Sequence, residues 1–61
     1  MDLTQEELNI LNCKLNGLRN EEISNKYNIS ETKVSIICHN ILDKYGVTSI
    51  VKLREKLILK E

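Results

Sequence analysis

The sequence contains no proline, no tryptophan and no phenylalanine. With no proline and no low-complexity segment, it offers nothing that reads as a linker, and no internal repeat is visible. No apolar run approaches the length of a membrane span, and the opening "MDLTQEEL" lacks the basic region and apolar block of a secretory signal. Only two cysteines are present, Cys13 and Cys38, so a cytoplasmic protein with free thiols is expected. A metal site needs three or four ligands. Cys38 and His39 are adjacent, which on a helix sets them about 100° apart, so no metal and no cofactor is expected. No acid pair, nucleophile–base pair or glycine-rich phosphate loop is present, and the chain is not expected to be an enzyme.

What is present bounds the fold. Sixty-one residues, 41% of them apolar, suffice for a single small domain over 1–61. A core of that size contributes little net stability, so a partner or a dimer is expected. The net charge is zero but unevenly placed. Residues 1–31 carry six acidic and three basic side chains, and residues 32–61 carry the reverse. The basic half permits an electrostatic partner, though an ordinary solvated surface explains it equally well.

Four helices can be read, an all-α fold. The first opens at "LTQEEL", with Thr4 as N-cap, Glu7 completing a capping box, and Leu3 and Leu8 spaced as a hydrophobic staple. Leu8, Leu11 and Leu15 line one face, Ile10 widens it, and Gly17 stops the helix. The second helix is "NEEISNKY", capped by Asn20, with Ile23 and Tyr27 pointing inward. "NIS" turns the chain, and Ser30 caps a third helix from about Glu31 to Lys44, which Gly46 ends. Val34, Ile41 and Tyr45 share its inner face, with Ile37 and Cys38 beside them. The fourth, from about Thr48 to Lys60, puts Ile50, Leu53 and Leu57 on one stripe and Val51 and Ile58 on a second, about 100° away. A short helix, a three-residue turn and a longer helix make a helix-turn-helix unit.

The wording of the chain resembles the LuxR/FixJ-type (GerE-like) DNA-binding domain, the output module of many bacterial response regulators and a stand-alone protein in a few cases. "LT" with Glu7 and "IL" fits that family's opening helix. Gly17-Leu18, Asn20, Glu22 and Ile23 fit the second, and "ISETKV" fits the start of the third. "NILDKYGV", residues 40–47, is the most specific piece. The resemblance implies a four-helix domain that binds double-stranded DNA, with its third helix in the major groove and its fourth in a dimer contact. Departures cluster on the binding side. Ser35 stands where the family usually has lysine, Ile37 where it has histidine, and Cys38 where a polar residue is common. Ile50 lies near a usual arginine, and Lys14 fills a position that is normally apolar.

With Val34 inward, Ile36 and Asp43 point straight out from the third helix. Ser35, His39 and Asn40 flank them, and Lys33 lies on the same side. Thr32, Lys33, Ser35, Ile36, His39, Asn40 and Lys44 are therefore the candidate DNA contacts. Ser35 and Asn40 would hydrogen-bond base edges, Ile36 would meet a thymine methyl, and His39 would donate to a base or phosphate. Lys33 and Lys44 would hold phosphates, with Thr32 adding a hydroxyl donor. Asp43 works against binding. Val51 and Ile58 are the candidate homodimer interface. A second reading keeps the fold but binds another regulatory protein through Ile36 or the Val51/Ile58 stripe. A third, a sigma-factor-like promoter-recognition fragment, is disfavoured by the "NILDKYGV" ending.

Overall fold

The computed structural model describes residues 2–59. Four helices follow in order: α1 (Gln5–Leu15), α2 (Asn20–Tyr27), α3 (Glu31–Tyr45) and α4 (Ile50–Leu59). No helix among the described residues is long and apolar enough to cross a membrane.

Local chemistry sets the helix ends. At α1 the capping box forms: Glu7 N–H donates to Thr4 Oγ1 at 3.1 Å, and Thr4 N–H donates to Glu7 Oε1 at 2.9 Å. Ser30 Oγ accepts from Lys33 N–H at the start of α3, and Ser49 Oγ accepts from Lys52 N–H at the start of α4. Three helices end in one way. Gly17, Asn28 and Gly46 take positive φ, at 87°, 55° and 69°. The apolar residue after each one (Leu18, Ile29 and Val47) sends its N–H back to Cys13, Ser24 and Leu42 carbonyls respectively. All three of those side chains pack against the core. This is the Schellman arrangement, in which a left-handed residue closes the last turn and the next side chain covers it.

The core draws on every helix. Ile10, Ile23, Val34, Ile41 and Leu53 are sealed from solvent, with Leu11, Cys13 and Ile37 buried beside them. Each sealed aliphatic side chain contributes about 1.5–3 kcal/mol relative to exposure. Partly buried Tyr27, Cys38, Tyr45, Ile50 and Leu57 complete the shell.

Three details differ from the pattern read in the sequence. The buried residues of α1 are Glu7, Ile10, Leu11 and Cys13, with Leu15 packed against the core, so of the apolar face read in the sequence only Leu8 departs. Leu8 is 40% exposed, and the spacing with Leu3 does not bury it. The reason is that Glu7, 8% exposed, turns inward to reach α3, and Leu8 is carried about 100° away from it. Asn20 is the first helical residue of α2 rather than its cap. The extended residue is Arg19, whose N–H donates to Glu22 Oε1 at 2.8 Å. Asn20 Oδ1 instead accepts from Lys14 Nζ at 2.7 Å. Finally, α4 begins at Ile50 rather than Thr48, because Thr48 and Ser49 form the bend before it, and Lys60 lies outside the described residues.

Gly46 tests the helix exits. A Cβ built there meets no atom within 4 Å, so the cost of a side chain is purely conformational. Gly46→Val should destabilise the fold by about 1–2 kcal/mol, and Gly46→Asn by much less. Melting temperatures of the two variants check this. Equal melting of wild type and Gly46→Val would contradict the left-handed exit.

Candidate nucleic-acid interface

The helix-turn-helix unit is α2, residues 28–30 and α3. Val34, Ile37 and Ile41 anchor α3 to the core, and this fixes what its opposite side presents. Thr32, Lys33, Ser35, Ile36, His39 and Asn40 are all exposed, together with Asp43. Ile36, at 56% exposure, stands in the middle of that surface. The sequence-derived wheel and the structure therefore put the same side chains on one face.

The cations behave differently from their apparent distribution along the chain. Lys44 is half-buried on the side of α3 that meets α1. Its Nζ lies 2.7 Å from Glu7 Oε1, with the Asp2 carbonyl at 3.5 Å. The sequence pattern makes it a phosphate contact, whereas in the structure its ammonium is bound to Glu7. Lys33 is exposed and lies 3.5 Å from Glu6. An exposed pair of this kind holds its lysine weakly, by about 0–1 kcal/mol, so Lys33 can exchange Glu6 for another anion.

Two cations of α4 attend to the ends of other helices. The Arg54 guanidinium donates to the Leu15 carbonyl at 3.0 Å and the Lys14 carbonyl at 3.4 Å, at the end of α1. Lys56 Nζ donates to the Tyr45 carbonyl at 2.9 Å, at the end of α3. Helix carboxyl ends carry unpaired carbonyls and partial negative charge, so cations are favoured there. The basic half of the chain is in part a set of internal ties. Arg19, Lys26 and Lys52 are exposed and pair with no carboxylate among the described residues; Lys26 stands 5.9 Å from the centre of the Tyr27 ring.

Sequence reasoning missed Glu6, Arg54 and Lys56, and saw in Glu7 only a capping residue. Charge spacing held no signal for them, because Arg54 and Lys56 meet backbone carbonyls while Glu6 and Glu7 meet lysines of α3, distant in the sequence. Cys13 is buried with its Sγ 3.9 Å from the Tyr27 hydroxyl. Among the described residues no three His, Cys, Asp or Glu side chains gather as metal ligands would.

The model of the bacterial regulatory proteins of the luxR family matches residues 1–57. No curated protein and no solved structure matches the chain.

The Glu7 node makes a pH prediction. The Lys44 hydrogen bond, then the Thr4 N–H, hold the Glu7 carboxyl below the ordinary glutamate range, against the opposing effect of burial. A lowered folded-state pKa stabilises the fold above the unfolded-state value, and that contribution is lost as pH falls through the folded one. Glu7→Gln should lower the urea midpoint at neutral pH and should flatten the acid limb of the stability profile as pH falls through and below the ordinary glutamate range. Parallel acid limbs for variant and wild type would refute this role.

Proposed function

The chain belongs to the luxR family of bacterial regulatory proteins, helix-turn-helix transcription regulators, and on that premise we propose that it reads duplex DNA with the outer face of α3 in the major groove, as a dimer joined through α4, in the cytoplasm. One observation carries the reading. The surface made by Thr32, Ser35, Ile36, His39 and Asn40 is exposed, while Val34, Ile37 and Ile41 of the same helix are buried in the core.

The roles follow from chemistry. Ser35 and Asn40 offer hydrogen bonds to base edges, and Ile36 suits a thymine methyl. His39 donates to a base or a phosphate. Thr32 and Lys33 sit at the amino end of α3, where hydroxyl, ammonium and backbone donors favour a phosphate. Lys33 would leave Glu6 for that phosphate. Lys44 has a different part here: bound to Glu7, it holds α3 against α1 and so sets the angle of the reading face. Asp43, exposed at the far end of α3, limits how deeply that end approaches the backbone.

With so few uncommitted cations on the face, one copy would bind weakly. Two copies double the contacts. Val51 and Ile58, 55% and 64% exposed, lie seven residues apart on α4 and support a symmetric contact. A second reading, in which Ile36 seats another regulatory protein instead of DNA, is favoured by the same scarcity of charge, and one experiment separates the two.

Selection from a random duplex pool at two salt concentrations should enrich particular sequences. Lys33→Gln should weaken binding to all of them alike and reduce the salt slope by about one unit. Ile36→Ala and His39→Ala should change which sites are preferred, at about 1–3 kcal/mol for a good contact. No enrichment and no low-salt binding would overturn DNA reading and leave the protein-partner reading. For assembly, sedimentation should find a dimer that Val51→Asp with Ile58→Asp converts to monomer while the helical signal is kept. A wild type that stays monomeric at high micromolar concentration would remove the α4 contact.

A further inference from the structure

Between α1, α3 and α4 lies a cleft of about 210 Å³ lined by Leu11, Lys14, Cys38, Ile41, Leu42 and Ile50. Its wall is almost wholly apolar, and its origin is on α1. Lys14 continues the inward stripe of Glu7, Ile10 and Leu11 by one helical turn. An apolar side chain at that place would lie across Ile41 and Ile50 and fill the space. Lysine leaves the space open: it lines the cleft, and its ammonium donates to Asn20 Oδ1 at 2.7 Å.

That ammonium is the one charged group among the lining residues. Its bonded neighbour is a neutral amide, and no carboxylate lies within ion-pair distance of it among the described residues. The Cys38 thiol is half-buried, and burial pushes it up against the opposing pull of Lys14. It therefore stays neutral and serves as apolar wall. An apolar hollow with a single cation beside it matches a ligand with an apolar body and one negative end.

We propose that this cleft binds a small monocarboxylic acid, with an unbranched tail against Leu11, Ile41, Leu42 and Ile50 and its carboxylate on the Lys14 ammonium. A cavity of about 150 Å³ admits benzene, so the space here suits a chain of about six carbons. The ligand would touch three helices at once. It would bridge α3, which carries the candidate reading face, to α4, which carries the exposed Val51/Ile58 stripe. The site is thus placed to act as an effector site, and its existence does not depend on DNA binding.

The test is a titration of the ¹⁵N-labelled chain with hexanoate, hexan-1-ol and acetate at neutral pH, followed by amide shifts. Hexanoate should give saturable shifts confined to the neighbourhood of Leu11, Cys38, Ile41, Leu42 and Ile50. Its Kd should be about fivefold lower than that of hexan-1-ol, the scale of one partly exposed ion pair. Acetate, without a tail, should not saturate. Lys14→Gln should bring hexanoate and hexan-1-ol to equal affinity. Lys14→Leu should fill the cleft, abolish binding of both and raise the melting temperature. Shifts that scatter over the surface or never saturate would overturn the proposal, as would a Lys14→Gln variant that still prefers hexanoate. Should Lys14→Leu fail to fold, the wild-type and Lys14→Gln titrations decide the question alone.

Discussion

A carboxylate turned away from water must find its hydrogen bonds inside the protein, and Glu7 does so at the joint between two helices. Its Oε1 accepts from the Thr4 N–H and from the Lys44 ammonium. The first bond starts α1. The second ties that start to the last turn of α3. Breaking a pair of this kind by removing one partner leaves a charge in poor surroundings, which is costlier than never having had the pair. The rotation of both helices follows. With Glu7 inward, Ile10, Leu11 and Lys14 follow it and Leu8 does not. With Lys44 inward beside Ile37 and Ile41, the opposite side of α3 must show Ile36, His39 and Asn40. The orientation of the candidate reading face is thus held from the other side of its helix, by the Glu7–Lys44 contact together with buried Val34, Ile37 and Ile41.

The same economy of charge runs through the molecule. Arg54 closes the end of α1 and Lys56 the end of α3, both from α4. A helix end needs such partners because its last carbonyls have none within the helix. Binding α4 to two helix ends puts polar ties on either side of Leu53, its sealed residue. It also fixes both cations at helix ends on the α4 side of the molecule rather than on the outer face of α3. What remains on the outer side of α3 is nearly neutral, so base edges and groove shape carry more of any DNA reading there than phosphate attraction does.

Much of this was legible in the sequence wherever the cause is local. Thr4 and Glu7, Gly17 and Gly46 act within a turn of chain, and their effects could be read from spacing alone. The inner side of α3 was legible because its apolar residues recur at helical spacing without interruption. The exposure of Leu8 was not, because Glu7 beside it takes the inward place, and an apolar count passes over a glutamate. Asn20 misled for a related reason. It has the chemistry of a cap, but its amide is drawn to Lys14, and Arg19 takes the extended position. The uneven charge of the two halves was plain, but its meaning lay in partners that composition cannot see, namely the carbonyls of Leu15 and Tyr45.

Stability and recognition occupy different sides of α3. Val34, Ile37 and Ile41 are buried, and Lys44 is bound to Glu7, so substitutions there act on the fold. Ser35, Ile36, His39 and Asn40 are exposed. Surface changes away from caps and buried networks usually stay within about ±0.5 kcal/mol of wild type. The outer face of α3 can therefore take different side chains with little cost to a fold whose margin is small for a chain of this length. Ile36 shows the point: an isoleucine left in water gains nothing for the core, and its removal takes nothing from it. Whatever that side chain contributes has to come from a surface that approaches from outside.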